Sequence, residues 1–146
     1  MTLYLEDLAP GMRFTSQPRA LDAGQIKRFA AEYDPQPFHL DEAAAQTTFF
    51  GALAASGWHT AALTMRLIVD SVPLAGGIIG AGGEIAWPRA TRPGDVLVVE
   101  SEVLDITPSR SKPERGIATV RSETRNQNGE VVQILTAKLV LQRRPV

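Results

Sequence analysis

The segment Tyr33-Asp34-Pro35-Gln36-Pro37-Phe38-His39-Leu40-Asp41 sets a carboxylate and one of the chain's two histidines close together, with two prolines between them. A carboxylate and an imidazole so spaced can share one water. One group takes a proton from it while the other supplies a proton to a substrate. An imidazole titrates near neutrality and needs little tuning for that work. The prolines fix φ and stiffen the segment, so the pair need not be ordered afresh at each turnover. Asp34 and His39 are therefore the candidate acid–base pair. The same residues also suit a plain turn followed by a half-buried histidine, and local chemistry leaves both readings open.

A second candidate lies at Ser56-Gly57. A helix opening there has free N–H groups at its start and a partial positive charge of about half a unit. Gly57 has no side chain to obstruct an approaching carbonyl oxygen. A simple cap followed by a close packing point explains the same two residues.

These groups need elements to hold them. Met12 to Ala20 reads as a strand after the turn Ala9-Pro10-Gly11. Asp22 and Gln25 have the spacing of a capping box. Ile26, Phe29, Ala30 and Tyr33 then recur on one helical face, and Pro35 and Pro37 stop that helix near Tyr33 or Asp34. Asp41 caps a short helix through Ala45. Ser56 caps a longer one to about Val72, apolar on nearly all sides and so expected inside the domain. After Pro73 the period changes. Gly76 to Trp87, Val96 to Ile106, Gly116 to Arg125 and Val131 to Gln142 read as strands, with Asn126-Gln127-Asn128-Gly129 as a hairpin turn. Strand, helices and then antiparallel strands predict an α+β domain over residues 1–146, its long helix covered by one face of the sheet.

Composition narrows the function classes. With 15 basic and 16 acidic residues the net charge is −1, so no positive field is available to hold nucleic acid. The chain has no cysteine, which removes disulfides, thiolate metal sites and cysteine nucleophiles. His39 and His59 stand twenty positions apart with no arranged third ligand, so no metal is expected, and no cofactor. The apolar stretch from Ala52 to Val72 is interrupted by Ser56, His59, Thr60, Thr64 and Arg66 and is not a membrane span. The N-terminus lacks a basic and an apolar signal region, so a cytoplasmic location is expected. Arg110, Lys112 and Arg115 make a basic cluster suited to phosphates or to a solvated hairpin. Arg89 and Arg92 are weaker candidates of that kind.

Asp34-Pro35-Gln36-Pro37-Phe38-His39 resembles the Asp-x-Asn-Pro-x-His motif of the MaoC-like dehydratases, a family that includes the (R)-specific enoyl-CoA hydratases. Phe50-Gly51 with Ala55-Ser56-Gly57-Trp58 is similar to the family's Phe…Ala-His-Gly segment. Arg92-Pro93-Gly94-Asp95-Val96-Leu97 is similar to its Pro-Gly-Asp-x-Leu strand start. Ser109 to Pro113 and Asn126 to Val132 match its later strands, so the likeness spans nearly the whole chain. The resemblance implies a hot-dog fold, a long helix wrapped by a curled antiparallel sheet, paired as a homodimer or higher oligomer. It implies reversible syn hydration of a trans-2-enoyl-CoA to a (R)-3-hydroxyacyl-CoA. Asp34 and His39 carry the catalytic roles, the Gly57 N–H joins the oxyanion hole, and Gln36 stands for the asparagine that orients the loop. One such oxyanion donor is worth about 3 kcal/mol of barrier. Ser56, Arg110 and Lys112 complete the expected substrate contacts with the acyl-CoA thioester. Two positions depart from the pattern. The family's histidine before the glycine is Ser56, and a serine five residues after that glycine falls at Ala62. His59 reads as a packed helix residue rather than a substitute. A hot-dog thioesterase and a non-catalytic acyl-CoA-binding protein are the alternatives.

Overall fold

The computed structural model describes residues 1–146. Its elements run β1 (Arg13–Thr15), β2 (Arg19–Ala20), α1 (Ala23–Tyr33), α2 (Pro37–Leu40), α3 (Glu42–Ala45), α4 (Gly57–Ser71), β3 (Ile79–Ala86), β4 (Val96–Pro108), β5 (Arg115–Arg125) and β6 (Val131–Gln142). All the strand pairs are antiparallel, in the order β1-β4-β5-β6-β3, with β2 on the other stretch of β4. The helices come first and the long strands after them, as the change of period requires.

One expected strand is two. Between β1 and β2 the chain leaves the ladder at Ser16-Gln17-Pro18, because proline has no N–H to give to β4. Buried Ser16 bridges the break: its N–H donates to the Val99 carbonyl, and its hydroxyl accepts from the Val99 N–H at 2.9 Å. The strand expected from Gly76 begins instead at Ile79. Gly76 and Gly77 have φ of +77° and +87°, a backbone that turns rather than extends.

Helix α4 lies on the sheet. Leu67, Ile68 and Val72 pack with Leu97, Val99, Val103, Val120, Leu139 and Leu141 into one core. A smaller cluster of Leu21, Ile26, Leu53 and Ala55 joins α1 to the segment preceding α4. Contrary to the expectation of burial on nearly all sides, one stripe of α4 is uncovered. Trp58, Ala62, Met65 and Val69 are exposed there, three and four residues apart. Strand β3 is also a free edge, exposed along seven of its eight residues.

Candidate active site

Two local devices carry the acid–base candidates. Asp22 and Gln25 form the expected capping box, with reciprocal bonds of 2.8 and 2.9 Å, and start α1. Asp34 ends it, donating its N–H to the Ala30 carbonyl. The prolines then act differently from a stiff loop. Pro37 takes the first position of α2, where its missing N–H is no loss, and the single turn it starts turns His39 inward.

His39 is 4 % exposed. Its Nδ1 lies 2.6 Å from the Ala54 carbonyl oxygen, which can only accept, so Nδ1 carries the hydrogen. Its Nε2 faces Asp34 Oδ2 at 3.2 Å. At that distance the two atoms are within hydrogen-bond reach of one another. The Gln36 amide donates to the other carboxylate oxygen at 2.5 Å. Burial pushes the Asp34 carboxyl up. Hydrogen bonds from Gln36 and the Ser56 hydroxyl, with the His39 charge, outweigh it and hold the group below its ordinary value.

Ser56 is wholly buried and caps α4, its oxygen accepting from the Trp58 N–H at 3.2 Å. Gly57 follows at the first helical position, where the N–H has no intrahelical acceptor. A cavity of about 310 Å³ opens here, lined by His39, Phe50, Gly57, Thr60, Trp87 and Thr91 among others. A larger cavity, about 710 Å³, lies between the C-terminal tail and Pro113–Arg115; His39 lines only the smaller of the two, and Asp34 lines neither.

Asp34, Gln36, His39, Ser56 and Gly57 therefore come together. Arg110 and Lys112 do not join them within one chain. They sit in the β4–β5 hairpin, while the cavity's Trp87–Thr91 wall precedes the other end of β4, separated by up to roughly 40 Å of strand. Ala62 is exposed and brings nothing to the pair. His59 is buried and stacks on Phe29, ring centroids 4.6 Å apart, and burial lowers its pKa.

Arg92 has a positioning role that nothing in its sequence neighbourhood signals. Its guanidinium donates to the carbonyls of Phe50, Ala52 and Leu53 at 2.9–3.3 Å, so it is committed to protein rather than to phosphate. It thereby pins the segment whose Ala54 carbonyl orients His39. Carbonyl partners some forty positions away leave no local signal. Arg89 borders the cavity and pairs with Glu130 at 3.2 Å.

A helix on a curled antiparallel sheet, with this carboxylate and imidazole at the helix start, defines a hot-dog protein of the dehydratase kind. The sequence pattern of the MaoC-like domain matches residues 7–126, and the chain belongs to that family. The crystal structure of a MaoC-like dehydratase from Rhodospirillum rubrum is 63% identical, covers 99% of both chains and superposes with a TM-score of 0.97. The (R)-hydratase PhaJ1 of Pseudomonas aeruginosa is 28% identical with a TM-score of 0.79, covering 98% of this chain and 88% of its own. YdeM of Bacillus subtilis, an uncharacterized protein, is 35% identical over 128 residues, 86% of this chain and 89% of that one.

Proposed function

We propose that the protein is a (R)-specific enoyl-CoA hydratase, adding water reversibly and syn across the double bond of a trans-2-enoyl-CoA. The observation that carries this reading is the facing of Asp34 Oδ2 and His39 Nε2 at 3.2 Å beside the start of α4. The likeness to an (R)-hydratase supports it. The thioester carbonyl accepts from the Gly57 N–H, which draws electrons from C3. Asp34 takes a proton from water as the hydroxyl oxygen bonds to C3, and His39 passes the Nε2 proton to C2. The Asp34 proton then returns to His39, so one water is consumed and the pair is restored. The product is the 3-hydroxyacyl-CoA, and the reverse path is dehydration.

Loss of enoyl absorbance from crotonyl-CoA tests the reading. The wild-type protein is expected to hydrate it, and His39→Ala to do so at least about a hundredfold more slowly. Release of free thiol in place of hydration would make the protein a thioesterase instead. No helix is long and apolar enough to cross a membrane, and the reaction reads as a cytoplasmic one.

The same reading includes a homodimer. The stripe of Trp58, Ala62, Met65 and Val69 and the free β3 edge are two faces a second copy would cover. Light scattering is expected to give twice the 15.8 kDa chain mass or a higher multiple. A monomer at micromolar concentration would contradict it.

A further inference from the structure

Gln133 is an expensive residue for its place. It lies on β6 with its side chain wholly buried, and its Nε2 has no protein partner. A buried amide with unused donors destabilises a fold, and leucine or methionine would fill the space without that cost. The one bond Gln133 does make is from the Trp87 indole, whose Nε1–H donates to Oε1 at 2.9 Å.

Trp87 is the wall so held. Its ring lies against Gly57 and borders the catalytic cavity. A second cavity of about 250 Å³, apolar, lies between α4 and the sheet, lined by Met65, Ile68, Val72, Leu135, Ala137 and Leu139 among others. The two cavities share no lining residue. Alternate residues of β6 face α4, so Gln133 stands at the catalytic end and Leu135 begins the apolar hollow about 7 Å further on. Thr124, opposite Gln133 on β5, completes the partition with Thr64 of α4, their hydroxyls 2.6 Å apart and both fully buried.

We propose that the Trp87–Gln133 hydrogen bond is a length gate that restricts the enzyme to short acyl chains. This rests on the acyl-thioester reading above. A cavity of about 310 Å³ is at the small end for a ligand site. A cavity of that size suits the thioester with a short acyl chain, and a longer chain must pass Trp87 to reach the apolar hollow. Without the latch the indole swings aside and the two spaces join.

The test compares kcat/KM for trans-2-butenoyl-CoA and trans-2-octenoyl-CoA in wild type, Gln133→Leu and Trp87→Ala. Binding of butyryl-CoA and octanoyl-CoA by calorimetry reads the gate without turnover. Wild type is expected to favour the short substrate at least about tenfold. In Gln133→Leu the ratio falls to within about threefold of unity through a gain on the long substrate. Trp87→Ala shows the same gain should Gln133→Leu fold poorly. Equal use of both lengths by wild type overturns the gate while leaving the hydratase reading intact, as does a ratio that neither variant changes. Length discrimination in binding that both variants abolish, with no hydration of either thioester, upholds the gate and removes the hydratase reading instead.

Discussion

Asp34→Asn is expected to hydrate crotonyl-CoA about a thousandfold more slowly than wild type, with the fold retained. Asparagine matches the carboxyl in shape but cannot accept a proton from water, and it sets a neutral amide opposite His39 Nε2 in place of the carboxylate. Turnover within tenfold of wild type would remove Asp34 from the chemistry. The pH dependence gives a second handle. Burial raises the Asp34 pKa, but the Gln36 amide, the Ser56 hydroxyl and the His39 charge lower it by more. A depressed folded value means that the ionised form is favoured in the native state. Its contribution to stability is present above the ordinary carboxylate range and is lost as pH falls through the folded value. Gln36→Leu removes the foremost of the lowering contacts. The acid limb of kcat/KM is then expected to move to higher pH, and a limb that stays in place would show that Gln36 does not set the carboxylate.

The part of the site that could be read in the sequence is the part built from neighbours. Asp22 and Gln25 are three positions apart, and their capping box depends on nothing outside α1. Asp34, Gln36 and His39 lie within one turn and a half, so their meeting is nearly a local event. The Asn126–Gly129 turn likewise declares itself, with Gly129 at φ +75°. What was hidden depends on closure of the sheet. Arg92 reaches carbonyls on the far side of α4, Trp87 meets Gly57, and Gln133 meets Trp87 46 positions away. None of these leaves a periodic trace. The uncovered stripe of α4 was hidden for another reason: apolar residues on every side specify burial without saying whether this chain or a second copy supplies it.

Those long-range contacts make Gly57→Ala the sharpest probe of the oxyanion site. Local helix energetics favour the change, since alanine is the better helix former by up to about 1 kcal/mol. The nearest obstacle is Trp87: a Cβ built on Gly57 falls 2.8–3.0 Å from three carbons of the indole ring. The indole is latched by Gln133 and packs edge-on against Trp58, centroids 5.2 Å apart, so it cannot yield freely. The first turn of α4 must shift instead, and with it the N–H proposed to meet the thioester oxygen. An oxyanion donor works only within a few tenths of an ångström of its proper distance, and losing one costs about a hundredfold to a thousandfold in kcat. Gly57→Ala is accordingly expected to lose about a hundredfold in kcat with KM little changed. If the loss runs through the indole, adding Trp87→Ala restores at least about tenfold of it, a non-additivity that two independent lesions would not produce. Additive losses in the double variant would show instead that the methyl group blocks the carbonyl directly, leaving Gly57 in the oxyanion hole but Trp87 without a part in holding it there.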